Sequence, residues 1–367
     1  MTSNLCAPGL EEKRDAIVAR TLLWWDRARR ALAWRAEPGE TPDPYRVWLS
    51  EVLLQQTTAQ AVTPYYRAFL EKWPAVEDLA AAPIEAVISA FAGLGYYSRA
   101  RNLHACAREI AGRGGRFPSD EVALRALPGV GAYTAAAIAA IAFDRQAAPV
   151  DGNIARILAR VTGLDAPIAE QRKAIAAVAR ALAPPRRAGD FAQALMDIGA
   201  TICRPKSPDC AACPLKGDCA AFRSGAPDTF PRKAKAKPKP RRAGAVFFAH
   251  RADGAFLARR RPPKGLLAST VELPGTPWTG EGPGGAFVDG APVAALWRRL
   301  PGEVEQVFTH FALRLVVYAG AYEGGAPDRH FWLMRDAVGE AGFSNVMRKA
   351  VTHAFETGFH AHAGAPS

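Results

Sequence analysis

DEVALRALPGVGAYTAAAIAAIA, residues 120 to 142, decides how this chain is read. DEVALRAL carries a helical apolar period and reads as a short helix. Pro128-Gly129-Val130-Gly131 breaks it, and an alanine-rich run then restores helical spacing. Two helices joined by so tight a turn make a helix-hairpin-helix. Gly129 and Gly131 let the backbone bend sharply and let a ligand approach it closely. The free N–H groups at the start of the second helix then face outward, a site suited to a DNA phosphate and indifferent to base sequence. Alone, the stretch is also compatible with an ordinary glycine-rich turn.

Outward from the hairpin, residues 11 to about 222 keep a helical apolar period in short segments separated by Gly/Pro turns. The pattern predicts an all-α domain over 10–224. PRKAKAKPKPRR, residues 231–242, then has seven basic residues, three prolines and no acid, so 225–242 reads as an extended linker. Beyond it the period changes. AVFFAHRADGAFLARRR (245–261) reads as two strands around a turn at Asp253-Gly254, and VFTHFALRLVVYAGAY (307–322) as one strand. These predict an α+β domain over 243–360, and residues 361–367 read as a disordered tail.

The 367 residues are enough for two or three domains, and no apolar run is long enough to span a bilayer. The start, MTSNLCAPGLEEKRD, lacks the order of a signal peptide, so a soluble intracellular chain with no membrane partner is expected. A net charge of +12 points to an anionic polymer as partner.

Four of the six cysteines cluster as Cys203-x6-Cys210-x2-Cys213-x5-Cys219, while Cys6 and Cys106 lie far away. Such clustering in an intracellular chain holds metal more often than disulfides. Zinc takes four cysteines, usually as paired knuckles; the unequal spacing here also suits a [4Fe–4S] cluster, whose ligands lie farther apart. Spacing leaves both open. Arg204, Lys206 and Lys216 flank the loop and could meet phosphates.

LSEVLLQQT, residues 49–57, sets a separate question, since a glutamate sits in the middle of a helix that reads as buried. An acid in an apolar setting costs free energy unless something pairs with it. Glu51 would share a face with Gln55, four residues on, and a polar surface stripe is one reading.

Taken in order, LPGVG (127–131), VDGNIARIL (150–158) and the cysteine loop resemble the helix-hairpin-helix glycosylase superfamily of base-excision repair. WLSEVLLQQT (48–57) and GLGYYSRARNLH (93–104) are similar to the adenine DNA glycosylases, the MutY family, in particular. The resemblance implies a six-helix barrel plus an iron–sulfur lobe with a cleft between them, and a [4Fe–4S] cluster on the four cysteines. It implies removal of adenine mispaired with 8-oxoguanine or guanine in double-stranded DNA, by a monomer, in the cytoplasm at the nucleoid. Glu51 matches the family's catalytic acid, which protonates the flipped adenine. Asp151 matches the carboxylate that stabilises the sugar cation, although Asp before Gly-Asn-Ile-Ala is also a good helix N-cap. Tyr133 stands where strand-cutting relatives resembling endonuclease III carry a lysine; a phenol cannot form a Schiff base, so a monofunctional enzyme is expected. Asn153 supports Asp151. Arg35 matches a Trp-Arg pair near the adenine pocket, beside extra residues within EPGET (37–41). Gln56 and Tyr96 match residues that press into the base stack, and Arg99 and Arg101 could bind phosphates.

The C-terminal part resembles the MutT-like, Nudix-fold domain of the same family, with GLLASTVELPG (265–275) as its strand signature. No Arg-Glu followed by paired glutamates occurs between 271 and 310, so no pyrophosphatase activity is expected. Phe308, Thr309 and His310 fall where the family contacts 8-oxoguanine, with threonine in place of serine. The rival readings are a bifunctional pyrimidine glycosylase/lyase, a non-enzymatic iron–sulfur DNA-binding module and a Nudix hydrolase.

Overall fold

A computed structural model describes residues 10–94, 98–234, 238–263, 265–280 and 287–357. Among the described residues, helical periodicity becomes twelve α-helices in the first two-thirds: α1 (Leu10–Ala28), α2 (Pro44–Leu53), α3 (Ala59–Lys72), α4 (Val76–Ala81), α5 (Ile84–Ala90), α6 (Ser98–Gly112), α7 (Glu121–Arg125), α8 (Ala132–Phe143), α9 (Gly152–Thr162), α10 (Arg172–Leu182), α11 (Ala188–Thr201) and α12 (Ala220–Arg223). By contacts the chain divides into two units, Met1–Ala81 with Asn102–Lys235, and Ala82–Arg101 with Ala236–Ser367. The segment from Ala82 to Arg101, helical by sequence pattern, thus groups with the C-terminal residues.

In the first unit, one core joins Ile17 of α1, Ile154 and Leu158 of α9, Ile175 and Leu182 of α10, and Leu195 and Ile198 of α11. Helix α8 is different. It is buried on every side from Thr134 to Ala140, as a helix apolar all round must be. It packs on α2, α7 and α11. Small residues permit this close approach. A Cβ added to Gly189 at the start of α11 would lie 2.6 Å from the Ala140 carbonyl oxygen and 2.8 Å from Ile141 Cα. Both atoms are backbone and cannot swing away. Gly189→Ala is therefore expected to destabilise by about 2 kcal/mol, overpacking outweighing alanine's better helix propensity. A thermal melt checks this; an unchanged midpoint would show that the two helices can separate freely. Asp144, left-handed at φ 47°, ends α8, and its carboxylate accepts from Arg187 N (2.9 Å) and Ala188 N (2.6 Å) at the head of α11.

The second unit holds a seven-stranded mixed sheet: β1 (Arg241–His250), β2 (Phe256–Arg260), β3 (Val271–Glu272), β4 (Arg298–Arg299), β5 (Val304–Val307), β6 (Ala312–Ala321) and β7 (His330–Leu333). The path runs β3-β2-β1-β6-β4, with β5 on β6 and β7 on β2. β1 and β6 are parallel, from Arg241 opposite Ala312 to His250 opposite Ala321. β1 and β2 are antiparallel around the Asp253-Gly254 turn, where Gly254 has φ 89°. Helix α13 (Asn345–Thr357) buries Val346, Met347, Ala350 and Val351 against Phe248, Phe256 and Leu315 of the sheet.

Three expectations change here. The stretch 307–322 is not one strand: it splits at Phe308–Phe311, where Phe308 N donates to Phe311 O (2.8 Å) and the chain reverses between β5 and β6. Of GLLASTVELPG only Val271 and Glu272 are strand, because Leu267 and Ser269 take left-handed φ of 54° and 62°. The basic segment is not a free linker to its end, although that end stays exposed. Arg241 and Arg242 begin β1, the Arg242 guanidinium lies 4.3 Å from the Phe311 ring centroid, and Lys239 Nζ donates to Phe308 O (2.8 Å). Tyr96, Cys6 and the tail 361–367 lie outside the described residues.

Candidate active site

Asp43 caps α2 through Tyr45 N (2.8 Å), with Pro44 at its first turn. The helix buries Trp48, Leu49 and Leu53, and Glu51 is buried with them, 5% exposed. That excludes the surface-stripe reading. Nor does Gln55 extend the face: α2 ends at Leu53, and Leu54–Thr57 turn the chain into α3, capped by Thr58. Gln56 takes φ 60° within that turn. A left-handed backbone costs a non-glycine residue about 1 kcal/mol.

Glu51, Tyr133, Asp151, Asn153, Arg35, Gln56, Gly129 and Gly131 all line one cavity of about 900 Å³ in the first unit. The hairpin forms one wall. Asp120 caps α7, and Gly129 is left-handed at φ 73° where a Cβ would lie 2.5 Å from Asn102 Cβ. Gly131 differs from expectation. Its φ of −82° suits any residue, so it is not needed for the bend; it caps α8 with nothing within 4 Å of a hypothetical Cβ. What it provides is open space before the first N–H groups of α8.

Burial pushes the Glu51 carboxyl up to about 7, opposed by the hydrogen bond with Tyr133, raised further by Asp151 and lowered by Arg35. Tyr133 is pushed well above its ordinary value by burial and by the charges of Glu51 and Asp151, so it stays a neutral phenol. Asp151 is a helix cap that also lines the cavity. Its Oδ1 caps α9 through Ile154 N (2.7 Å), and its Oδ2 accepts from Asn153 Nδ2 (3.1 Å) while the residue faces the cavity. Asn153 is itself held by Arg156, whose guanidinium donates to Asn153 Oδ1 (2.9 Å), Gly199 O (2.7 Å) and Cys203 O (2.8 Å).

Arg35 lines the cavity, but its guanidinium is not free for a base edge. It makes a bidentate pair with Asp197, 2.6 Å and 2.8 Å, and lies 4.7 Å from the Trp25 ring centroid. Asp197, Arg30 and Arg156 were missed in the sequence. The available signal was Asp197 itself, a lone acid on the apolar face of DFAQALMDIGATIC.

In the second unit, Phe308, Thr309 and His310 line another cavity, of about 580 Å³. Phe308 stacks on Phe311 with ring centroids 4.7 Å apart, while His310 stays exposed. Arg101 also lines this cavity, its guanidinium donating to Ala268 O (2.7 Å).

The four cysteines are free thiols at the end of α11 and in the loop beyond it. Burial raises the pKa of Cys210, Cys213 and Cys219, and the neighbouring Cys203 raises each further. Buried Arg160 sits against them, donating to Cys203 Sγ (3.3 Å), Arg204 O (2.8 Å), Pro205 O (3.2 Å) and Phe230 O (2.9 Å). Among the described residues no three His, Cys, Asp or Glu side chains are close enough to hold a metal ion. The donor set, four thiols with a buried cation beside them, fits a thiolate-ligated centre of net negative charge.

Residues 49–184 match the HhH-GPD superfamily of base excision DNA repair proteins, and residues 245–353 match the NUDIX domain. The adenine DNA glycosylase of Homo sapiens is 35% identical over 396 residues, covering 89% of this chain and 72% of that protein. That of Rattus norvegicus is 35% identical over 391 residues, covering 89% and 76%. Among solved structures, a thermostable thymine-DNA glycosylase matches 59% of this chain and 99% of its own, at 33% identity and a TM-score of 0.52. A helix-hairpin-helix glycosylase domain is therefore followed by a Nudix-like domain, and the curated relatives share both across most of their length. The chain belongs to the adenine DNA glycosylase family.

Proposed function

We propose that this protein excises adenine mispaired with 8-oxoguanine or guanine from double-stranded DNA, hydrolysing the N-glycosidic bond without cutting the strand. The observation that supports this most is Glu51: a buried carboxyl held near pH 7 and hydrogen-bonded to Tyr133, in a cavity that Asp151 also lines. A general acid works best with a pKa near the operating pH. The flipped adenine enters the 900 Å³ cavity, and the neutral Glu51 carboxyl gives its proton to ring nitrogen N7. The C1′–N9 bond then breaks and the electron pair leaves with the base. The Asp151 carboxylate faces the resulting oxocarbenium ion, its orientation fixed by the α9 cap and by Asn153. Water adds to C1′ while Glu51, now a carboxylate, takes its proton and is restored to the acid form. Tyr133 donates to that carboxylate between the two steps.

The first N–H groups of α8, behind Gly131, take a DNA phosphate. Gln56, strained at the cavity rim, enters the base stack. Phe308, Thr309 and His310 meet the 8-oxoguanine. Cys203, Cys210, Cys213 and Cys219 would hold a [4Fe–4S] cluster, which when bound would tie the loop down. Arg160 offsets the charge of the thiolates.

Single-turnover incubation with a duplex carrying adenine opposite 8-oxoguanine tests this reading. Free adenine should appear, the strand should stay intact until alkali is added, and borohydride should trap no covalent adduct. Strand cleavage without alkali together with a trapped adduct would instead mark a bifunctional lyase.

A further inference from the structure

Asp197 projects from α11 and is completely buried, 0% exposed. Burial pushes its carboxyl up, but hydrogen bonds and charge from Arg35 and Arg30 more than reverse this and hold it below the usual carboxylate range. It is ionised and saturated with donors. Arg35 grips both oxygens at 2.6 Å and 2.8 Å, Arg30 N donates at 3.0 Å, and Arg30 Nε at 2.6 Å. Arg35 also donates to Arg30 O (2.8 Å), so the two arginines are locked to one carboxylate and to each other.

We propose that Asp197 is a positioning residue of the active site, which fixes the Arg35 guanidinium at the cavity wall and neutralises it there. The inference rests on the reading of Glu51 as the general acid. Three groups act on that carboxyl from the elements around it: Tyr133 of α8, Asp151 at the head of α9 and Arg35 ahead of α2. Arg35 is the cation among them. A bare guanidinium in a buried wall draws the proton off a nearby carboxyl. Paired with Asp197 it keeps its shape, and its stacking on Trp25, while most of its field is cancelled. The acid thus stays protonated at neutral pH although an arginine lines the same cavity.

The pH at which adenine release falls by half on the alkaline side reads the acid's protonation, and it does not depend on how much protein folds. Asp197→Asn exposes Glu51 to uncancelled Arg35 and should move that midpoint down by about one pH unit. Arg35→Gln leaves Asp197 paired with Arg30 alone and should move it up. Asp197→Glu keeps the charge and should hold the wild-type midpoint even if the rate falls. Opposite shifts in the first two variants support the proposal. Unchanged midpoints alongside lower rates would reduce Asp197 to a packing group and overturn it. Should Asp197→Asn fail to fold, the double variant Asp197→Asn/Arg35→Gln decides: a midpoint near that of the wild type supports the cancellation, and one shifted up as far as in Arg35→Gln alone overturns it. A wild type whose alkaline limb survives Glu51→Gln would instead defeat the reading of Glu51 on which all this rests.

Discussion

Glu51→Gln is expected to lower single-turnover adenine release by roughly 10³-fold at neutral pH, the range for losing a positioned general acid. The amide keeps the shape of the side chain but has no proton to transfer. Wild-type activity should decline as pH rises through about 7, where the buried carboxyl ionises, and the variant's residual rate should lack that limb. The substitution should affect stability in the opposite sense to activity. A carboxyl whose folded pKa is raised from 4.5 to about 7 contributes stability that is fully present below 4.5 and lost as pH rises through 7. The shift of 7 − 4.5 = 2.5 corresponds to about 3 kcal/mol withheld from the wild type above pH 7. Glu51→Gln does not titrate, so its melting temperature should exceed that of the wild type by a margin that widens from pH 5 to pH 8. A variant that releases adenine at the wild-type rate would remove Glu51 from the chemistry. One that melts with a constant offset across this range would contradict its burial as a raised acid.

Arg160→Met should destabilise the first unit by about 3 kcal/mol or more. The methionine replaces the stem but not the guanidinium, leaving the carbonyls of Arg204, Pro205 and Phe230 without their donor. Each of these part-buried hydrogen bonds from a charged donor contributes about 1 kcal/mol or more. In a unit of this size that corresponds to a melting point lower by about 6–12 °C. Arg160→Lys should recover little, because one ammonium cannot reach three carbonyls and a sulfur at once. A loss under 2 °C for Arg160→Met, far below that range, would mean that water replaces the guanidinium and that the loop stands without it.

The site shows where reading a sequence succeeds and where it stops. Glu51 was suspect because an acid within an apolar run is anomalous, and its burial bears that suspicion out. Gly129 was legible because a Pro-Gly-x-Gly break between helices requires a left-handed residue, and it takes φ 73°. Gln55 misled, since helical spacing says nothing of where a helix ends; α2 stops two residues before it. The strand over 307–322 misled for a related reason. Aromatic residues at Phe308 and Phe311 favour a strand by propensity, but here they stack on one another across a reversal.

The sequence by itself determined a helical first part and a strand-containing second part, the hairpin, the thiol cluster and the anomalous acid, because periodicity, turn chemistry and cysteine spacing are local. Only the tertiary structure decided that Glu51 and Asp151 line one cavity, that Asp197 takes both oxygens to Arg35, and that Arg160 binds the cysteine loop. Those pairings join residues up to 162 positions apart, and the burial that sets their ionisation exists only once the helices have packed.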